Sequence, residues 1–188
     1  MARRRKYTPP FEVEIEKLGK GGVGIGVDEK GRPVEVKVAP PGSRLLVIPN
    51  KRKRGRLYAR REEMIRPSAD AVTPPCLMFG LCGGCVLQEL PLATQRHYKT
   101  EYALESIAEE MGWSLSRLKD EVTIHPTRGD DSAYHYRNKV EFSWGTRQIL
   151  SQKDFEEGKS IHGKFLGFHA SGYFDRIADT NRCWLISE

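Results

Sequence analysis

Apolar and polar residues alternate along the first third of the chain. In residues 11–16, Phe11, Val13 and Ile15 are separated by glutamates, a period of two that predicts a half-buried antiparallel strand. The same period returns in residues 34–38, and residues 45–48 form a short apolar run typical of a buried strand. Residues 56–61 are the last candidate strand in this region. The pattern therefore predicts four or five short strands within about sixty residues.

A glycine-rich stretch interrupts these strands. Its glycines alternate with Val23, Ile25 and Val27, and the spacing matches neither phosphate-binding glycine motif. Residues 28–31 read as a hairpin turn. Short strands with glycine-rich bends predict a small closed barrel of oligonucleotide-binding type over residues 11–66.

The remainder of the chain has a different pattern. Residues 67–75 are a proline-containing linker, and one main helix is predicted over about residues 92–112, with Gly112 as its stop. Further strands are predicted over residues 134–144, 164–169, 173–177 and 182–186. We therefore expect a β-rich α+β protein, in which the barrel precedes an antiparallel-sheet domain over residues 76–188.

The four cysteines suggest a metal centre in that second domain. Cys76, Cys82 and Cys85 have the spacing C-x5-C-x2-C, and Cys183 lies far along the chain. A tight triplet with one remote cysteine favours an iron–sulfur cluster, although four thiolates also suit zinc. His125 or His162 in place of Cys183, and disulfides or buried free thiols, are less favoured alternatives. No apolar leader or membrane span is evident, so we expect a cytoplasmic protein in which disulfides are disfavoured.

The net charge of +6 is unevenly distributed. Residues up to Pro75 contain 18 Lys and Arg against 9 Asp and Glu, whereas the later residues contain 13 against 16. Residues 1–10 form a basic tail, for which a solvated tail is favoured over a nucleic-acid arm. The densest basic stretch lies on the predicted barrel and is expected to contact RNA phosphates. Its candidate residues are Lys51, Arg52, Lys53, Arg54, Arg56, Tyr58 and Arg60.

With these motifs in place, the chain resembles the RNA uridine C5-methyltransferases that carry an iron–sulfur cluster. The resemblance spans nearly the whole chain. It is carried by Cys76, by Cys82-Gly83-Gly84-Cys85-x-x-Gln88, by Gln95 and Lys99, by Tyr136-Arg137-Asn138-Lys139, and by Leu166-Gly167-Phe168 preceding Asp179 and Cys183.

The resemblance implies a TRAM barrel followed by a 4Fe–4S cluster on Cys76, Cys82, Cys85 and Cys183. It also implies methyl transfer from S-adenosylmethionine to C5 of a uridine in ribosomal or transfer RNA. Arg137 and Lys139 become candidate RNA contacts.

The family's catalytic residues and cofactor site lie in a C-terminal domain that we expect to be absent from this chain. No catalytic residue is therefore assigned. We expect a monomer that recognises RNA for such an enzyme. The alternative is a free-standing, metal-stabilised RNA-binding module without catalytic activity.

Overall fold

A computed structural model describes residues 9–180 and 182–186, so most of the predicted basic tail lies outside the described residues. Contacts group the chain into two compact units. The barrel unit comprises the residues up to Val72 together with Glu89–Thr127, and the cysteine unit comprises Thr73–Gln88 with the residues from Arg128 onward. The grouping places the main helix with the barrel, whereas the domain boundary at Cys76 stays a prediction.

The barrel unit contains a closed five-stranded barrel, which confirms the small barrel expected from the sequence. Neighbouring strands follow the order β1-β2-β3-β5-β4, and β1 pairs with β4 to close the ring. The strands are β1 (Phe11–Leu18), β2 (Gly24–Val27), β3 (Pro33–Val36), β4 (Arg44–Lys53) and β5 (Arg56–Arg66), with a 3-10 turn at Lys20–Gly22.

Alternating side chains fill the barrel. Val34, Val36, Leu45 and Val47 are completely buried, as period-two patterning requires. In β2 the buried positions are glycines, and a Cβ on Gly26 would lie 2.1 Å from the carbonyl oxygen of Glu14. The glycines therefore let two strands approach each other closely across the small interior.

Two helices belong to the same unit: α1 (Leu92–Met111) and α2 (Leu115–Glu121). Helix α1 confirms the predicted main helix, and Gly112 ends it in the left-handed conformation with φ of 63°. Leu104 and Ala108 of α1 pack with Leu118 of α2 in a small core. Helix α2 was not predicted.

The cysteine unit contains a three-stranded antiparallel sheet. Its strands are β6 (Ser143–Arg147), β7 (His162–His169) and β8 (Ile177–Asp179), in the order β6-β7-β8, and a short helix α3 (Gln152–Glu156) precedes β7. The strand predicted over residues 164–169 is confirmed within β7. Helix α3 was not predicted.

Three other strand predictions in this unit are wrong over most or all of their length, since only Ser143, Trp144 and Ile177 of those residues lie in strands. Residues 134–142 are irregular because His135 has φ of 59°, which breaks an extended chain, and β6 begins only at Ser143. Residues 173–176 are irregular and follow a turn over residues 170–173, in which the Tyr173 N–H donates to the Ala170 carbonyl. Residues 182–186 turn back on themselves, since the Ile186 N–H donates to the Cys183 carbonyl.

No helix in the described part of the chain is long and apolar enough to cross a bilayer.

Candidate metal centre and basic hairpin

Tight turns shape the loop that carries three of the four cysteines. The Phe79 N–H donates to the Cys76 carbonyl at 3.1 Å, and the Cys82 N–H donates to the Met78 carbonyl at 2.8 Å. Gly80 supplies the left-handed conformation that this path needs, with φ of 85°. The loop thus returns Cys82 to the turn that begins at Cys76.

The loop is fixed to the end of β7. Gly83 donates its N–H to the His169 carbonyl at 3.1 Å, and Ser171 donates its N–H to the Leu81 carbonyl at 2.9 Å. A Cβ on Gly83 would lie 3.2 Å from the His169 oxygen, closer than most such contacts. Gly83 therefore lets the loop pair with the chain at the end of β7.

All four predicted metal ligands line one cavity: Cys76, Cys82, Cys85 and Cys183. Each is partly buried and none forms a disulfide in the described structure. Burial raises the pKa of both Cys82 and Cys85, and the neighbouring cysteines raise it further because thiolates repel one another. The structure thus brings together, from both ends of the cysteine unit, the residues predicted as ligands.

Hydrogen-bond donors accompany two of the sulfurs. The Gly84 N–H lies 3.4 Å from the Cys82 sulfur, and the side chain of Gln88 hydrogen-bonds to Cys85. Each donor lowers the pKa of its thiol, and the positive charge of Arg137 also lowers the pKa of Cys85, so these contacts partly offset the effect of burial. Gln88 is only 7% exposed, and its Oε1 has no hydrogen-bond partner in the described structure.

The donor chemistry suits a thiolate-bound metal centre. Four soft sulfur donors in one partly buried cavity, two of them with N–H partners, form a set typical of zinc or iron–sulfur ligation. Among the described residues no histidine lines this cavity, and no group of three or more His, Cys, Asp or Glu is arranged to hold a metal ion. The four cysteines therefore line one cavity, but they are not arranged to hold a single metal ion.

An aromatic cluster holds the segment that carries Cys183. The ring of Trp184 packs edge-on to Tyr134 at 6.1 Å, and the Arg182 guanidinium lies over it at 4.0 Å. The Trp184 carbonyl accepts the N–H of His135 at 2.9 Å, and the Leu185 carbonyl accepts that of Arg137 at 2.7 Å. Sequence reasoning did not single out Trp184 or Tyr134, and the aromatic residue directly after the last cysteine was the available signal.

The basic stretch forms a β-hairpin with a two-residue turn rather than a long loop. Strand β4 continues through Lys53, and β5 starts at Arg56, which pairs with Lys53. Arg54 and Gly55, the turn residues, have φ of 50° and 79°, the left-handed pair that tight hairpins prefer. The predicted basic residues therefore extend along two paired strands from one tip.

Charges at the hairpin are only partly compensated. Arg56 pairs with Glu35 at 3.0 Å and Arg60 with Glu62 at 2.5 Å, while Lys51 lies 5.9 Å from the centre of the Tyr58 ring. Within the described residues, four side chains at the tip form no ion pair. These are Lys51, Arg52, Lys53 and Arg54. They concentrate positive charge beside an outward-facing aromatic ring.

Arg137 and Lys139 occupy different environments. Arg137 lines the cysteine cavity and lies 5.8 Å from the centre of the Tyr136 ring. Lys139 is exposed and pairs with Glu141 at 3.2 Å. Because the predicted strand is absent here, these two residues do not share a strand face.

Comparisons with known proteins identify relatives along most of the chain. An uncharacterised RNA methyltransferase of Chlorobaculum tepidum is 33% identical over 173 residues, which cover 91% of this chain and 33% of the relative. The 23S rRNA (uracil(1939)-C(5))-methyltransferase RlmD of Burkholderia thailandensis is 31% identical over 181 residues, covering 94% of this chain and 34% of the relative. The chain therefore spans about a third of the length of these curated relatives. No family model matches it.

Proposed function

We propose that this chain, which belongs to the RNA uridine C5-methyltransferase family, is an N-terminal part of such an enzyme and binds RNA and a 4Fe–4S cluster. The enzyme of which this chain would be a part transfers a methyl group from S-adenosylmethionine to C5 of a uridine in ribosomal or transfer RNA. None of the described side chains is assigned to that chemistry. The protein acts in the cytoplasm as a monomer.

The convergence of the four cysteines is the observation that carries the cluster proposal. Cys76, Cys82, Cys85 and Cys183 line one cavity and would supply one thiolate to each iron. A cluster held by all four cysteines would supply a covalent cross-link and would leave no iron open for chemistry. Gly84 and Gln88 would place N–H groups against the bound sulfurs.

The basic hairpin supports the proposal of RNA binding. The four unpaired cations at its tip repel one another unless a polyanion neutralises them, and Tyr58 offers a ring on which a base stacks. Phosphate contacts of this kind position a strand without reading its sequence. We assign Arg56, Arg60, Arg137 and Lys139 a supporting part in the same binding, because three of them already have a carboxylate partner.

Metal analysis of protein purified without oxygen tests the cluster. We expect about four irons and four sulfides per chain, with a broad visible absorption that Cys183→Ser abolishes. Leu77→Ser is the matched control, since Leu77 lies in the same loop but is 96% exposed. One zinc and no sulfide would overturn the cluster and favour the alternative, a zinc-stabilised RNA-binding module.

Salt-dependent RNA binding tests the hairpin separately. In the double variant Lys51→Gln/Arg52→Gln, the slope of log affinity against log salt should become shallower by about 1.4, because each phosphate contact on a single strand contributes about 0.7. Lys20→Gln/Lys30→Gln removes the same charge from the barrel unit and should leave the slope unchanged. Equal slopes for both double variants would contradict the assignment of the hairpin.

A further inference from the structure

A second cavity lies in the cysteine unit, between the segment around α3 and the start of β8. Its volume is about 320 Å³, and its walls include Gln148, Ile149, Gln152, Phe155, Ile161 and Arg176. None of these residues belongs to the cysteine cavity or to the basic hairpin. A cavity of this size lies at the small end of the range for small-molecule sites and suits about one nucleotide.

Arg176 gives the cavity an uncompensated positive charge. Its guanidinium lies 4.6 Å from the centre of the Tyr173 ring, and its Nε is buried without a hydrogen-bond partner. The adjacent carboxylate, Asp175, already pairs with Arg147 at 2.7 Å. Among the described residues no carboxylate forms an ion pair with Arg176. The Nε is closed off from the cavity, so a phosphate would pair with the terminal nitrogens of the guanidinium, which share its charge.

The other walls combine apolar surface with amide oxygens. Phe155 is 63% exposed, so its ring is available for stacking, and Ile149 and Ile161 add apolar surface. Gln148 donates its Nε2 to the Ser160 carbonyl at 2.7 Å, and Gln152 donates its Nε2 to Glu156 at 2.9 Å. Each amide is thus oriented by its nitrogen and keeps an oxygen that accepts no hydrogen bond in the described structure. Such oxygens complement the N–H groups on the edge of a base.

From these features we infer that the cavity binds one unstacked nucleotide of single-stranded RNA. The base stacks on Phe155 beside the oxygens of Gln148 and Gln152, and its phosphate pairs with Arg176. Proteins read single-stranded RNA in this way, by stacking splayed bases on aromatic rings and bonding to their edges. The inference rests on the proposed function, because it takes RNA as the ligand, and it adds a base-reading site to a hairpin that contacts phosphates.

Crosslinking and binding with a short single-stranded RNA that contains 4-thiouridine test the site. With the full chain, we expect a crosslink in the peptide that contains Phe155, and about tenfold weaker binding in Arg176→Met. Phe155→Ala removes an exposed ring, so it serves as a second variant that does not depend on core packing, and it should also lose the crosslink. Arg128→Met removes an exposed arginine from the same unit and should bind as the unchanged protein does.

The outcomes separate this inference from the proposed function. Wild-type affinity in both cavity variants, with crosslinks only at the hairpin, would overturn the nucleotide site and leave RNA binding standing. If the unchanged chain binds no RNA, the proposed function fails, and titration with uridine monophosphate decides the cavity. If the chain binds uridine monophosphate and Arg176→Met abolishes that binding, the cavity stands as a nucleotide site. If the chain binds no uridine monophosphate, the nucleotide site is overturned. Equal binding of inorganic phosphate and uridine monophosphate would overturn its base-reading role.

Discussion

The two units of this chain differ in what holds them together. The barrel unit buries a continuous set of side chains, with Val34, Val36, Leu45 and Val47 fully inaccessible. The cysteine unit buries few apolar side chains and exposes large ones, such as Trp144 at 74% and Phe174 at 94%. In the described part of that unit the buried hydrophobic residues are Leu87, Ala170, Ile177, Ala178 and Leu185.

This difference indicates where a cross-link matters. A barrel closed by its own strands gains stability from burial alone, whereas a unit with a small core needs another source. The cysteine cavity joins the two ends of the cysteine unit, since Cys85 and Cys183 are separated by nearly all of its later sequence. We therefore expect loss of the proposed metal centre to destabilise the cysteine unit alone, and damage in the barrel to destabilise the barrel unit alone.

Removing one thiolate should give the largest effect. Closing a loop of this length restricts the unfolded chain by about 4 kcal/mol, so Cys183→Ser should destabilise the cysteine unit by about that amount once the centre is lost. Hydrogen exchange measured by mass spectrometry should show faster exchange in β6–β8 and unchanged exchange in β1–β5.

Leu77→Ser provides the control, because the substitution lies beside Cys76 but removes no ligand. Its exchange should match that of the unchanged protein in both units. If the barrel strands of Cys183→Ser lost as much protection from exchange as β6–β8, the two units would unfold together. That result would contradict the expected difference between them.

The reverse experiment damages the barrel and should have the next largest effect. In Gly26→Ala the new Cβ would lie 2.1 Å from the Glu14 oxygen, so β1 and β2 must separate, at a cost of about 3 kcal/mol. Thermal unfolding should shift for the barrel unit, while the iron content and visible spectrum stay as before.

Gly31→Asn is the matched control in the same unit. Gly31 has φ of 70°, a Cβ at this position would meet no atom within 4 Å, and asparagine tolerates this conformation. The unfolding temperature of the variant should stay close to that of the unchanged protein. Loss of iron from Gly26→Ala would contradict the independence of the two units.

The same contrast explains how far the sequence predicted the fold. The barrel was predictable because its side chains face either the core or water, so alternation in residues such as Phe11, Val13 and Ile15 follows the strand directly. Even there, β4 and β5 extend beyond the predicted strands, since paired backbone continues through the polar hairpin where no apolar pattern marks it.

In the cysteine unit the apolar pattern was a poor guide. Val140, Phe142 and Trp144 alternate as in a strand, but only Trp144 lies in one, because the segment before it turns at His135 to bond with the chain around Cys183. Contacts between residues so distant in sequence leave no local period. The cysteine spacing, by contrast, predicted which residues converge on one cavity, because cysteine spacing can be read without any apolar period. The cavity at Arg176 left no motif at all.

A substitution at Gln88 tests the hydrogen bonding around the proposed metal centre and should have a smaller effect. Gln88→Leu keeps the bulk of a buried side chain and removes the amide that hydrogen-bonds to Cys85. Loss of such a supporting contact typically weakens a metal centre about tenfold, so visible absorption should fade about tenfold faster on exposure to air.

Gln95→Leu is its control, because that amide donates to the Leu90 carbonyl in the barrel unit at 2.9 Å. The cluster in this variant should fade at the unchanged rate. Equal fading in Gln88→Leu and the unchanged protein would show that the hydrogen bond to Cys85 does not protect the centre.

The smallest expected effect concerns α3, which has no buried residue of its own and so depends on polar contacts. Hydrogen bonds from Lys159 and then Ser151 lower the pKa of Asp154 from 3.8 to about 2. The pKa of Asp154 is lower in the folded protein than in the unfolded protein. The stabilising contact is therefore complete above pH 3.8 and is lost as the pH falls towards 2. Backbone amide shifts of Ser151 and Asp154 should therefore titrate with a midpoint near 2, and Asp154→Asn should abolish the titration. A midpoint near 3.8 would mean that the Lys159 and Ser151 contacts do not hold this helix start.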